Sequence, residues 1–290
     1  AGRWLSRTEH CQVATLLVST VLGDWLTALG VPGDFHLGHS FGEVSALAAA
    51  GALSFEDALR TAHRRGVIAG RTRGGPPQGM AVLFTSPAEG ARLIGPDDTD
   101  VVIANWNGRR QIVLAGEADA LARVLDRAAG ERIEARALPI ERAFHSPLLR
   151  EAVPAYREFL DGVPLSAPRA PVYETRTSRP YPRDARPDGI RASLADQYVL
   201  PVYYETMIRD AYDRGARVFV ETGPKRALSS LVTENLPAEA EGVRSVHLLH
   251  PKGGEPAQLR RAAAQLWAIG LTDTAPDRAL TTMEAATCSD

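Results

Sequence analysis

A serine between two glycines at alternate positions, Gly38-His39-Ser40-Phe41-Gly42, is the stretch of this 290-residue chain best suited to nucleophilic chemistry. The apolar segment Phe35-His36-Leu37 precedes it, and a small-residue run from Glu43 to Ala50 follows. Strand, Gly-x-Ser-x-Gly and helix in that order predict a sharp turn that lifts the serine hydroxyl above the end of a strand. The glycines are expected where backbone crowds backbone and a Cβ would obstruct the approach. The same turn aims the Phe41 N–H and a helix N-terminus at a developing oxyanion. A plainer reading stays open, in which Ser40 only caps the helix.

Two further residues have types and places that suit a site around Ser40. Ser54-Phe55-Glu56-Asp57 predicts a capping box that opens a helix through about Arg71. Its inner stripe is Phe55, Ala58, Leu59, Ala62, Gly66 and Ala69, with Arg60 and Arg64 on the far side. Arg65 falls at the edge of that stripe, where an unpaired guanidinium is costly to bury. Either it snorkels or meets a structural carboxylate, or it clamps a substrate carboxylate through its bidentate fork. The other residue is His145, in Ala143-Phe144-His145-Ser146-Pro147, with Ser146 and Pro147 placed to start a helix. A lone histidine is usually a packing residue; this one stands at a domain boundary, where ligand clefts form.

The elements that must position these residues follow from periodicity. Apolar residues from Cys11 to Leu29 at helical spacing predict a first long helix, stopped by Gly30 and Pro32. After the breaker-rich junction 73–77, the texture changes to short β-type runs at Met80–Phe84, Val101–Ala104, Gln111–Ala115 and Arg136–Ile140. Helical stretches at Pro87–Leu93 and Ala118–Ala129 separate them, and this β-α-β-β-α-β order resembles the ferredoxin-like arrangement. The expected fold is therefore α/β, with an inserted small domain. Beyond it, a Pro- and Arg-rich surface stretch at 166–187 contains one strand at Pro171–Glu174. Helical character from Leu194 to Arg214 breaks at Pro201, and a buried strand Val218–Val220 ends in Glu221-Thr222-Gly223-Pro224 before a helix at Leu228–Val232. A short strand at Val246–Leu249 and a helix at Gln258–Ala268 close the order.

Composition narrows the function classes. Hydrophobic content of 44% and charged content of 23% are those of a globular protein and argue against disorder. The net charge of −2 offers no electrostatic reason for a nucleic-acid or membrane partner. Cys11 and Cys288 form neither a CxxC nor a metal spacing, which suits a reducing, cytoplasmic setting. No apolar run is expected to reach the length of a bilayer span, and no signal peptide is evident.

Together these residues resemble the acyltransferase domains of fatty-acid and polyketide synthases, the malonyl-CoA:acyl-carrier-protein transacylase family. Gly38 to Glu43 is similar to its GHSxGE nucleophile motif, and Arg65-Gly66 to its carboxylate-binding arginine. Asn105-Trp106-Asn107 with Gln111 to Gly116 resembles its ANxN…QxVxAG segment. Ala143-Phe144-His145 resembles its histidine motif, and Glu221 to Pro224 its (E/V)xGP turn. The details GHSFGE, AFHSPLL and ETGP look most like iterative enediyne and polyunsaturated-fatty-acid synthases.

The resemblance implies an α/β-hydrolase-like large subdomain at 1–78 and 144–270, a ferredoxin-like small subdomain at 79–143, and a linker or tail at 271–290. It implies ping-pong acyl transfer, with Ser40 as nucleophile, His145 as base and the Phe41 N–H as oxyanion donor. Arg65, Phe144, His39 and Asn105 would bind substrate, with the Phe144 ring leaving little room for an α-methyl group. The implied substrate is malonyl-CoA, with no cofactor and no metal. The implied partners are the phosphopantetheine arm of an acyl carrier protein and the other domains of a synthase, with no nucleic acid and no membrane.

Two departures stand out. Arg142 occupies the first position of what is usually HAFH, which puts the acyl preference in question. Nothing in residues 1–10 resembles the family's opening GQGSQ-like loop, so the chain is expected to be a fragment. Two competing readings remain at this point. One is an α/β-hydrolase acting on an ester or thioester, which needs an acid placed between Ser40 and His145. The other is a docking or structural module of a synthase without transfer activity.

Overall fold

In a computed structural model, described for residues 2–5, 7–71, 75–237, 240, 242–250, 252 and 254–280, the expected alternation of helices and strands is present, except that the strand expected at Phe35–Leu37 is reduced to one bridging residue, His36. Residues 73 and 74 of the breaker-rich junction, Cys288 and the rest of 281–290 lie outside the described residues. The chain opens with a short α1 (Gly2–Leu5), the long α2 (Thr8–Ala28), the elbow helix α3 (Gly42–Ala49) and α4 (Phe55–Arg71). The capping box forms at Ser54, whose Oγ accepts from the Asp57 N–H at 3.0 Å and donates to the Asp57 carboxylate at 2.7 Å. Phe55, expected inside, is exposed; it stands at the first helical position, outside the buried face that runs through Ala58, Ala62, Arg65 and Ala69.

Next comes β1 (Gln78–Leu83), α5 (Pro87–Leu93), β2 (Val102–Gly108), β3 (Gln111–Glu117), α6 (Ala118–Gly130) and β4 (Ala135–Ala137). The four strands form one antiparallel sheet in the order β2-β3-β1-β4. One face carries Leu83, Ile112 and Leu114 against Leu121 and Val124 of α6; the other, through Met80, Val82 and Val113, joins the main core. Burying such alternating apolar sets on both faces explains why residues 78–137 hold their register.

The remainder runs through α7 (Ala152–Asp161), β5 (Tyr173–Glu174), β6 (Arg179–Pro180), α8 (Pro187–Asp196), α9 (Tyr204–Asp213), β7 (Val218–Glu221), α10 (Leu228–Asn235), β8 (Arg244–His247) and α11 (Glu255–Ala268). Pro147–Leu149 is a single 3-10 turn, and the α-helix expected there starts at Ala152. The break at Pro201 appears as expected, but the first helix begins earlier, at Pro187, which is pre-organised for a first helical turn. β7 and β8 pair in parallel, and the segment before Ser40 is joined to the chain ahead of β5 by a parallel bridge from His36 to Val172.

Two expectations need correction. α2 is, by length and composition alone, long and apolar enough to cross a membrane. Its Leu22, Trp25 and Leu26 instead form a core with Leu259, Ala263 and Leu266 of α11, and Leu16 joins the main core. Residues 271–280, expected as linker, are docked: Ala279 is fully buried and its carbonyl accepts from the Trp25 indole N–H at 2.7 Å.

The glycines divide by what surrounds them. A Cβ on Gly38 would lie 2.1 Å from the Glu43 nitrogen, and one on Gly66 would lie 2.3 Å from Glu9 Cα. Gly42 has open space around it, so the second glycine of the elbow is not sterically required. Gly66→Ala is therefore expected to destabilise by about 1–3 kcal/mol, as overpacking does. Gly42→Ala should be neutral or stabilising by up to ~1 kcal/mol. Urea unfolding of the two variants checks both.

Candidate active site

Residues far apart in sequence meet at the elbow. Ser40 has φ +54° and His145 φ +63°, left-handed conformations that cost non-glycine residues about 1–3 kcal/mol each. Both hold because the backbone around them is over-determined. The Gly42 and Glu43 N–H groups donate to the His39 and Ser40 carbonyls at 2.9 and 3.0 Å. The His145 N–H donates to the Tyr198 carbonyl at 2.8 Å. The outcome is a Ser40 Oγ to His145 Nε2 distance of 2.6 Å.

The imidazole's other nitrogen fixes the proton's direction. His145 Nδ1 lies 2.9 Å from the Leu200 carbonyl, which can only accept. Nδ1 therefore carries the proton and Nε2 presents a lone pair to the Ser40 hydroxyl. A backbone carbonyl thus stands where a hydrolase triad would place a carboxylate, which weighs against the hydrolase reading. Burial, helped by the Arg65 charge, pushes the His145 pKa down to about 3, so the ring is neutral and ready to accept a proton. The Phe41 N–H makes no hydrogen bond among the described residues and sits at the N-cap of α3, in place for a charged oxygen.

Arg65 projects from α4 with 2% of its surface exposed. Its guanidinium lies over the rings of Phe144, at 5.1 Å, and Tyr198, at 5.3 Å. Nε and Nη2 are buried without a hydrogen-bond partner, and no carboxylate among the described residues pairs with the group. Neither a snorkel nor a structural ion pair describes it. Gly66 permits the close crossing of α2 over α4 next to this side chain, and the Tyr198 hydroxyl donates to the Arg65 carbonyl at 2.5 Å.

His39 is half-buried beside Ser40, and loss of solvent lowers its pKa. Its Nε2 lies 2.7 Å from Asn107 Oδ1, and Asn107 Nδ2 donates to Gln111 Oε1 at 2.8 Å. The β2–β3 register shifts at Asn107, and such a bulge re-aims a side chain. Asn105, singled out from the sequence, is buried in β2 and bridges to Val202 through its backbone; the contact to His39 belongs to Asn107.

Arg142 does not reach toward Ser40. Its guanidinium caps the end of α4, donating to the Ala69 and Gly70 carbonyls at 2.9 and 3.0 Å. Glu221 of the ETGP turn is structural too: its carboxylate accepts the N–H groups of Ala227, Leu228 and Ser229 at 2.8–3.0 Å, capping α10.

The structure thus gathers Ser40, Phe41, His145, Arg65, Phe144 and His39. Sequence reasoning missed Leu200, which acts through its backbone carbonyl, and Tyr198, which acts through its carbonyl, ring and hydroxyl; Asn107 was legible only as part of a longer segment. Among the described residues no group of histidine, cysteine or carboxylate side chains could hold a metal ion.

The sequence profile of the family described as acyl transferase domain matches residues 2–275. A malonyl CoA-acyl carrier protein transacylase of Bacillus subtilis is 32% identical over 234 residues, covering 79% of this chain and 73% of its own. The polyketide biosynthesis protein ThaF of Burkholderia thailandensis is 35% identical over 280 residues, 95% of this chain, which spans only 23% of that protein's length. The crystal structure of an acyltransferase domain from an iterative polyketide synthase of enediyne biosynthesis superposes with a TM-score of 0.79 at 33% identity, over 94% of this chain and 69% of that one.

The lowered His145 pKa has a checkable sign. An ordinary imidazole would protonate near pH 6.5 and stop accepting the Ser40 proton. Here the ring stays neutral to far lower pH, so the rate of Ser40 modification by an organophosphorus fluoride should stay level from about pH 8 to pH 5. Over the same range stability should fall as pH drops below about 6.5, because only the unfolded histidine takes up a proton. Reactivity that declines with an inflection near pH 6.5 contradicts the assignment.

Proposed function

For a chain that belongs to the acyl transferase domain family, as this one does, we propose malonyl transfer from malonyl-CoA to the phosphopantetheine thiol of an acyl carrier protein, in polyketide biosynthesis. The observation that carries the malonyl assignment is the buried guanidinium of Arg65, which has two unpartnered nitrogens and no counter-charge. A planar fork of donors in a dry site suits a carboxylate, which malonyl has and acetyl lacks.

In the first half-reaction the Ser40 hydroxyl attacks the thioester carbonyl carbon and its proton passes to His145 Nε2. The carbonyl oxygen becomes an oxyanion beside the Phe41 N–H. Collapse breaks the C–S bond, and the departing CoA sulfur takes the proton from Nε2. In the second half the pantetheine thiol gives its proton to Nε2 and its sulfur attacks the acyl-serine carbon. Collapse then returns the proton to Ser40 Oγ. The tautomer set by the Leu200 carbonyl leaves Nε2 free for each transfer. His39 and Asn105 would line the substrate side. Phe144, under the guanidinium, narrows the space around the substrate's α-carbon.

The same reading extends to architecture and setting. We read 79–143 as a ferredoxin-like small subdomain, supported by the strand order β2-β3-β1-β4. The rest, 1–78 and 144–270, is read as an α/β-hydrolase-like large subdomain, supported by the elbow and the parallel β7–β8 pair. Other domains of a synthase would be the chain's partners and the cytoplasm its place. A docking module without chemistry has no use for a neutral histidine 2.6 Å from a serine hydroxyl.

Intact-mass spectrometry after incubation with malonyl-CoA, methylmalonyl-CoA or acetyl-CoA tests the reading. A malonyl adduct that disappears in Ser40→Ala is expected; no adduct from any donor contradicts it. Arg65→Ala should slow malonyl loading by at least about 30-fold, since losing a buried charge partner costs ~2 kcal/mol or more. Acetyl loading should change far less.

A further inference from the structure

Glu43, the last residue of the GHSFGE hexapeptide, is a fully buried carboxylate that faces no cation among the described residues. Three neutral donors surround it. Oε2 accepts from the Thr175 N–H at 2.8 Å and from Gln197 Nε2 at 2.7 Å, and Oε1 accepts from the Tyr181 hydroxyl. Acceptor-only chemistry on both oxygens is that of a carboxylate rather than a carboxylic acid. Burial raises its pKa on balance, and the hydrogen bonds from Thr175, Tyr181 and Gln197 offset part of that rise. A charge kept in the interior at such cost calls for a reason.

The position of Gln197 supplies one. It begins the segment 197–200 that follows α8, and this segment is the cradle of His145. Tyr198 O accepts the His145 backbone N–H at 2.8 Å, and Leu200 O accepts Nδ1–H at 2.9 Å. At its far side Glu43 is tied to the nucleophile, since its own N–H donates to the Ser40 carbonyl at 3.0 Å. One residue thereby spans the two halves of the catalytic pair, its backbone holding the serine turn and its carboxylate holding the histidine's cradle. We propose that Glu43, acting through Gln197, is a positioning residue that sets the Ser40–His145 alignment and the His145 tautomer. The proposal rests on the acyl-transfer reading for its kinetic test.

Gln197→Met keeps the side chain's length and removes the amide's bonds to Glu43 and to Thr175 Oγ1. Malonyl loading in this variant should lose about 10²-fold in kcat, the size of effect that a misplacement near 1 Å produces. KM and the malonyl-over-acetyl preference should be unchanged, because Arg65 is untouched. Glu43→Gln, which turns an amide toward donors, should do the same. Leu266→Ala, a truncation in the separate core between α2 and α11, is the stability control: its Tm should fall at least as far, with kcat unchanged well below that Tm. Nitrogen-15 NMR of the His145 ring adds a readout independent of turnover, with the hydrogen-bonded Nδ1–H signal of wild type weakened or lost in Gln197→Met. An unchanged ring signal, an effect on KM alone, or an equal kcat loss in Leu266→Ala overturns the proposal. A wild-type protein that takes no malonyl group would instead refute the acyl-transfer reading, and the ring signal would still decide the role of Glu43.

Discussion

A guanidinium buried without a counter-ion organises this site. Removing an ion from water costs several kcal/mol even after relaxation. Against that, the contacts of Arg65 with Phe144 and Tyr198 return about 1–4 kcal/mol together. On the proposed reading a bound carboxylate supplies the balance, since the planar fork of unpartnered donors suits one. The same positive charge is felt by His145, where it adds to burial in keeping the imidazole neutral. On the proposed reading, one side chain selects the substrate and also helps keep the base neutral. The rings beneath the guanidinium limit the size of what it can hold.

The second constraint is strain. Ser40 and His145 both sit at positive φ; the first is held by backbone hydrogen bonds within its own turn, the second by one to the distant Tyr198 carbonyl. The bulged β2 reaches His39 through Asn107, and the Asn235 side chain donates to the Asn107 carbonyl at 2.6 Å, tying the antiparallel sheet to α10. Arg142 fastens the chain just before Phe144 and His145 to the end of the helix that carries Arg65. What looked in sequence like a change in acyl preference is, in the fold, a clasp between the arginine helix and the histidine segment. The groups that react are few; those that hold them in strained, dry positions are spread over the whole chain.

How far the sequence could be read depended on whether a residue acts through its side chain and a local period. The elbow, the capping box at Ser54 and the order of elements between Gln78 and Ala137 were legible, because turn chemistry and alternation are local. Arg65 was marked as anomalous by its place on the α4 stripe, though its full burial depends on α2 crossing at Gly66. Leu200 was not legible, since any residue offers a carbonyl, and neither was Tyr198, whose ring and hydroxyl meet Arg65 only across a long stretch of chain. Phe55 was misplaced because a helix's first turn projects beyond the core it points toward. Residues 271–280 looked like linker for want of periodicity, yet Ala279 packs into the core between α2 and α11 and its carbonyl accepts from Trp25 at the other end of the chain.

The central claim is that the carboxylate of a bound malonyl group is the missing partner of Arg65. A crystal structure of the protein acylated by malonyl-CoA tests it most directly. The account predicts electron density continuous from Ser40 Oγ, with the malonyl carboxylate in a two-pronged contact with the Arg65 guanidinium at about 2.7–2.9 Å. A malonyl group whose carboxylate points to solvent, with the Arg65 nitrogens still unpartnered, would contradict it.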